Sequence, residues 1–169
     1  MEATAGFGNL YYGRSYDHHF PPLMLSYEYA LLTDAFNVSG LSVGTGITAG
    51  YTGASTLTQY GKAELLSEVS EGILALRVAG YYQPIPSRLD MYAVVLLGWG
   101  IAESDNSWSG DADAIAMAKT LGWGQKEKVG GPMLGILAGV RYWFTDHWGA
   151  NAEIGYAPAF LNIGGCVAW

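Results

Sequence analysis

Residues 133–157 read MLGILAGVRYWFTDHWGANAEIGYA, two alternating runs on either side of a polar turn. In the first run Leu134, Ile136, Val140 and Tyr142 share one face, while Gly135, Gly139 and Arg141 share the other. In the second, Ala152, Ile154 and Tyr156 oppose Glu153 and Gly155. A repeat of two residues is that of a strand, since a helical face would recur every three or four. The charges fall on the side of the glycines, so one face is large and apolar and the other small and charged.

The same parity extends through the chain. In GILALRVAGYY (72–82), Leu74, Leu76 and Val78 oppose Arg77 and its small neighbours; in PLMLSYEYALL (22–32), Glu28 lies with Ser26 and Ala30. LSVGTGITAGYT (41–52) sets Leu41, Val43, Ile47 and Tyr51 against glycines. LDMYAVVLLGWGI (89–101), LNIGGCVAW (161–169) and a weaker run near Ala5–Tyr12 bring the count to about eight strands. Tight connectors with Asp, Pro or Ser chemistry fall at Thr33–Phe36, Pro84–Arg88 and Thr145–Trp148. Longer polar ones fall at Gly13–Pro22, Gly53–Ala63 and Glu103–Pro132. Alternating short and long connectors describe an up-and-down antiparallel sheet whose two ends differ.

Volume decides which face is inside. A ring of about eight strands has room only for a filled interior or one small ligand. The Leu, Ile, Val and Tyr face would overpack that space, whereas the small face fits it and lets Glu28, Arg77, Arg141 and Glu153 pair away from lipid. Arg141 and Glu153, on strands joined by a tight turn, are expected to face each other. The reading is all-β: a transmembrane barrel with short periplasmic turns and long extracellular loops, residues 1–169 forming a single domain. Tyr51, Trp99 and Tyr156 near the long-loop ends, with Tyr82, Tyr142, Phe144, Trp148 and Trp169 near the short-turn ends, form two aromatic belts where rings meet lipid and water. Val94, Leu96, Ile73 and Leu137 make the interior unusually apolar, closer to a packed core or small pocket than to a water-filled pore.

Composition narrows the function. Only 14% of the residues are charged and the net charge is −7, with Lys and Arg scattered, which argues against a nucleic-acid partner. The apolar stretch Met91–Ala102 is too short for a helix to cross a bilayer, which takes about 18 residues. Cys166 is the lone cysteine, so no disulfide framework or multi-cysteine metal site is available. Asp17, His18 and His19 could offer metal ligands, but neighbours on an extended chain point apart, and a solvated loop is the stronger reading. His147 lies in a predicted tight turn, away from any serine–acid arrangement. No cofactor or catalytic set is called for. In the longest connector, Ser109 or Asp111 is placed to cap a short helix with Ile115, Ala118 and Leu121 on one face, flanked by Trp108 and Trp123.

The stretch GVRYWFTDHWGANAEIGYAPAFLNIGGCVAW resembles the small bacterial outer-membrane β-barrels of the OmpA/OmpX-like kind. Arg141, Tyr142, Phe144, Thr145, Asp146, Gly149, Glu153, Gly155 and Tyr156 carry the match over the last third of the chain. The resemblance implies that Asn162, Gly164, Val167 and Trp169 form the terminal pattern recognised by the barrel-assembly machinery. It implies an integral outer-membrane protein, in contact with the lipopolysaccharide leaflet, monomeric or a subunit of an envelope complex. The expected role is structural, or adhesion and partner binding through the outer loops. Transport of ions or small hydrophobes and a lipid-acting enzyme are the alternatives.

Overall fold

The computed structural model describes residues 2–10, 17–83, 88–156 and 159–169, with side chains over 23–83, 88–156 and 161–169. Eight strands follow in chain order: β1 Glu2–Leu10, β2 Asp17–Leu32, β3 Leu41–Tyr60, β4 Ala63–Tyr82, β5 Leu89–Gly110, β6 Glu127–Trp143, β7 Trp148–Tyr156 and β8 Ala159–Ala168. Among the described residues one α-helix, α1, spans Ala112–Thr120 between β5 and β6. Each strand pairs antiparallel with its neighbours in sequence, and β8 returns to β1 to close the barrel. Closure runs from Glu2↔Ala168 through Gly6↔Gly164 to Gly8↔Asn162, which removes both sheet edges at this level.

The two faces are assigned as the alternation predicts. Leu25, Ile47, Leu74, Leu76, Leu97, Leu134, Ile136 and Ile154 point outward and are exposed. Arg77, Leu96 and Leu137 are among the most deeply buried side chains. An apolar face turned outward around a full ring has no water-stable explanation and is the arrangement lipid requires. On β3 to β6 the outward residues change from mainly apolar to mainly polar along one register row, Tyr51↔Gly72↔Ile101↔Gly130, with Leu57 of β3 left exposed above it. Below it on β5 lie Trp99, Leu97 and Val95; above it lie Glu103, Asp105 and Ser107. That row marks the lipid boundary.

Above the boundary the structure corrects the expected loops. Gly53–Ala63 is mostly strand, and Glu103–Pro132 begins and ends in strand around α1: β3 and β4 remain paired up to Tyr60↔Ala63, around the two-residue turn Gly61–Lys62. β4 and β5 stay in register up to Ala63↔Gly110, and β5 with β6 up to Ser104↔Glu127. Ser, Thr and Glu suggest loop, but here β4 is paired on both sides, and Thr56–Tyr60 and Asp105–Gly110 on the side of β4, so ladder bonds hold the backbone without a continuous apolar face. A strand crosses a bilayer in about 9–11 residues; β3 and β4 have 20 each and β5 has 22. The four strands therefore carry a sheet well beyond the lipid, whereas β7 with 9 residues and β8 with 10 end near it.

The connectors on the other end are short. Thr33–Gly40 turns through the 3-10 segment Ala35–Asn37, and the Asp34 carboxylate accepts from the Gly40 amide at 3.0 Å. Phe144–His147 joins β6 to β7. Residues 84–87 of the expected Pro84–Arg88 turn, and 13–16 of the first long connector, lie outside the described residues.

Candidate functional site

The lower lumen holds a polar network built on cross-strand neighbours. Glu28, Gly46 and Arg77 occupy one register row across β2, β3 and β4. Gly46 has no side chain between them, so the Arg77 guanidinium reaches over it and Nε donates to Glu28. Arg77 Nη2 donates to Glu153 Oε1 at 2.6 Å from the opposite wall. The Tyr81 hydroxyl donates to the second Glu28 oxygen. On the far side Tyr92 lies over Gly139, where a Cβ would stand 2.5 Å from the ring, and its hydroxyl donates to Glu153 Oε1 at 3.1 Å. Asn162 Nδ2 donates to Glu153 Oε2 at 3.0 Å. Glu153 thus receives three donors and is only 2% exposed.

Arg141 does not join this set as expected. The register places it opposite Asn151, and Glu153 opposite Gly139, so the predicted Arg141–Glu153 pair does not form. Directly opposite Arg141 on its other side stands Asp90, the second residue of β5. Arg141 donates from Nε and Nη2 to Asp90 Oδ2 at 3.0 and 2.8 Å, and Trp143 Nε1 donates to the same oxygen at 2.9 Å. Its guanidinium also stacks 4.6 Å from the Tyr81 ring centre and 4.8 Å from that of Trp143. In the sequence Asp90 stands immediately before the apolar stretch Met91–Ala102. Its parity with Tyr92, Val94 and Leu96 was the signal that it faces inward.

Beside the network the lumen becomes apolar. Val94, Leu96 and Leu137 are buried to within 1% and pack with Met24, Ala75 and Ala79. Ser26 and Thr48, beside them, share a hydrogen bond of 2.9 Å. At the short-turn mouth, by contrast, a cavity of about 400 Å³ is lined by Glu28, Asp34, Ser42, Tyr81, Asp90 and Arg141.

The eight aromatics predicted for the lipid surface, Tyr51, Tyr82, Trp99, Tyr142, Phe144, Trp148, Tyr156 and Trp169, are all exposed on the outer face. Tyr142 and Phe144 meet edge-on at 5.6 Å, and Trp169 lies 6.3 Å from Tyr27 across β1. In the terminal pattern Asn162 is buried, Gly164 and Val167 are half-buried and Trp169 is exposed.

The projecting sheet has its own small core. Ala63 and Leu65 are buried, and the Tyr60 ring packs at 6.0 Å from Trp108 and 5.1 Å from Trp123. Asp111, not Ser109, caps α1, accepting from the amides of Asp113 and Ala114 at 3.1 Å each. Ala118 is buried and Ile115 half-buried, but Met117 and Leu121 are each 68% exposed, one turn apart beside Trp123. On the outer face Lys126 reaches Asp105 at 2.5 Å and Lys128 reaches Glu103 at 3.2 Å. The Lys126 hydrogen bond holds the Asp105 carboxyl below the usual range. Across 53–71 and 102–130, eight carboxylates face four lysines, a net charge of −4.

The side chains of Asp17, His18 and His19 lie outside the described residues. His147 sits exposed in the β6–β7 turn with Nδ1 at 3.0 Å from the Ala168 carbonyl oxygen.

No protein-family model matches the sequence, and no curated protein matches it either. Among solved structures, the chain is similar to Ail, the attachment invasion locus protein of Yersinia pestis, in complex with the heparin analogue sucrose octasulfate. The two share 12% identity over 98% of this chain and 95% of that one, with a TM-score of 0.52. Neisserial surface protein A is similar at 14% identity over 99% of this chain and 95% of that one, with a TM-score of 0.41. The likeness to Ail, the outward apolar face and the closed eight-strand register agree: the fold is that of the small integral outer-membrane β-barrels of bacteria.

Proposed function

We propose that the chain is a non-enzymatic protein of the bacterial outer membrane that holds a partner-binding sheet outside the lipid. The observation that carries this is the projection of β3 to β6 beyond the row Tyr51–Gly72–Ile101–Gly130, ending in the capped helix α1. Building a sheet this far past the bilayer serves no anchoring purpose. Its exposed Met117, Leu121 and Trp123 form an apolar contact in acidic surroundings. Surface apolar clusters rimmed by charge suit protein partners.

The sign of the charge narrows the partner. A sulfated polyanion, the class bound in the Ail complex, would meet a surface of net −4 and be repelled. The partner is accordingly a protein with a basic surface. Below the boundary the barrel anchors and the Glu28–Arg77–Glu153 and Arg141–Asp90 pairs rigidify it. The outer aromatics hold its depth, and Asn162, Gly164, Val167 and Trp169 are the address read by the assembly machinery. The Val94–Leu96–Leu137 layer speaks against transport through the lumen.

The test compares the parent with a variant in which 112–123 is replaced by a short Gly/Ser linker, both refolded into lipid. Binding is read with polylysine and with heparin at low and physiological salt. The expected result is salt-sensitive binding of polylysine, none of heparin, and weaker polylysine binding after Glu64, Glu68, Glu103 and Asp105 are changed to Gln. Heparin binding by the parent would overturn the charge assignment. Ion conductance of the parent in planar bilayers would overturn the closed lumen.

A further inference from the structure

Three polar atoms in the lower lumen are buried with no hydrogen-bond partner: Arg77 Nη1, Asn151 Oδ1 and Asn162 Oδ1. Their residues are 1%, 4% and 4% exposed. All three surround Glu153. Arg77 and Asn162 bond its carboxylate directly, and Asn151 Nδ2 reaches it through the Tyr92 hydroxyl at 3.4 Å. Leaving a buried donor or acceptor unmet is costly, so orphans grouped on one carboxylate call for an occupant.

The donor and acceptor pattern selects it. The amide orientations are fixed, because a carboxylate only accepts: Asn162 must turn Nδ2 to Glu153 and leave its carbonyl free. Tyr92 spends its proton on Glu153, so its oxygen accepts from Asn151 and the Asn151 carbonyl is free as well. One donor and two acceptors remain. A water molecule accepts once from Arg77 and donates twice to the asparagines. A cation would satisfy the carbonyls but be repelled by the guanidinium, and an anion would meet the reverse.

Space is available because the wall beside the asparagines has no side chains. Gly164 stands opposite Asn151, Gly6 opposite Gly164, and Gly8 opposite Asn162. The site also has a route to solvent. Glu28, bonded to Arg77, lines the cavity of about 400 Å³ at the short-turn mouth. On the other side the buried Leu96 and Leu137 pack with Val94, Met24 and Ala75 in one apolar cluster.

We propose that the lower lumen is a water-binding site, in which an ordered water bridges Arg77 Nη1, Asn151 Oδ1 and Asn162 Oδ1 and exchanges only through the short-turn mouth. The site makes the lumen a one-ended, hydrated vestibule.

Nuclear magnetic resonance of the full chain in lipid nanodiscs tests this through water-to-amide transfer at the Asn151 and Asn162 side chains. Long-lived water contacts are expected at both. Asn162→Leu should abolish the contact at Asn151. Because Asn162 also belongs to the terminal pattern and its variant could assemble poorly, Asn151→Leu is the second arm and should abolish the contact at Asn162. Thr48→Val, elsewhere in the lumen, should leave both intact. The paired variant Leu96→Ala, Leu137→Ala should shorten the water's residence by opening a second route. Absence of contacts in the parent, or their survival in Asn151→Leu, overturns the site. Displacement of the water signal by added sodium identifies a cation instead and also overturns it. An unchanged residence time in Leu96→Ala, Leu137→Ala overturns the one-ended route.

Discussion

Replacing Arg77 by Met should destabilise the barrel by about 3–5 kcal/mol, the cost of stripping a buried ion pair of one partner. The structure sets that magnitude. Arg77 is 1% exposed and lies between two carboxylates, Glu28 and Glu153, themselves nearly inaccessible. Methionine keeps most of the stem, so the loss is electrostatic and not a cavity. Arg141→Met should cost less, about 1–3 kcal/mol, as for a lost hydrogen-bonded partner. Asp90 keeps its bond from Trp143 at 2.9 Å, and its side chain, 10% exposed, lies at the wetted mouth. Removing the whole charge set in Glu28→Gln, Arg77→Met, Glu153→Gln should restore most of the loss, to within about 1–2 kcal/mol of the parent, because no isolated charge remains buried. Urea titration of the barrel in liposomes, followed by tryptophan fluorescence, measures all three. A cost below about 1 kcal/mol for Arg77→Met, or a triple variant as unstable as the single one, would refute the structural role given to the network.

Further outcomes follow from other parts of the molecule. A double-mutant cycle on Arg141 and Asp90 should show coupling of about 0.5–3 kcal/mol, and one on Arg141 and Glu153 a smaller value, since only the first pair is in contact. Gly139→Ala should cost about 1–3 kcal/mol in the same titration, because its Cβ would press 2.5 Å from the Tyr92 ring. Acid should loosen the outer face of the sheet. The Asp105 carboxyl is held below its usual range, so its tie to Lys126 is present above the unfolded value and fades as pH falls through the lowered one. Protection of the amides at 103–106, read as the exchange rate against the intrinsic rate at the same pH, should therefore fall below about pH 4 relative to neutral, and Lys126→Met should remove the difference.

The strand pattern and the inside–outside assignment were legible because lipid inverts a rule that sequence reports well. Arg77 and Glu28 fall on the glycine face, and no soluble barrel of this size could bury the opposite face. The helix α1 was legible through Asp111 and the spacing of Ile115 and Ala118. Two features were hidden. The upper halves of β3 to β6 have only a short apolar cluster around Leu65 and Trp108, so Ser67, Asn106 and Glu68 resemble loop residues, and pairing across the sheet makes them strand. The partner of Arg141 was hidden because register, not chain proximity, decides who meets whom. The tight β6–β7 turn suggested Glu153, but the pairing sets Asn151 opposite Arg141 on that side and Asp90 opposite it on the other. The role of glycine was only half visible. Gly46 and Gly139 are more than small: each is the gap over which a charged or aromatic side chain reaches the next strand but one.

The central claim is that the outer face meets lipid up to the row through Gly72 and water beyond it. Leu76 and Glu68 share the outward face of β4 on opposite sides of that row. In a Cys166→Ser background, spin labels at Leu76→Cys and Glu68→Cys in liposomes report access to oxygen, which dissolves in the bilayer, and to a nickel chelate, which stays in water. The account predicts a label at 76 relaxed by oxygen and shielded from nickel, and the reverse at 68. A label at 76 open to the nickel chelate would contradict it.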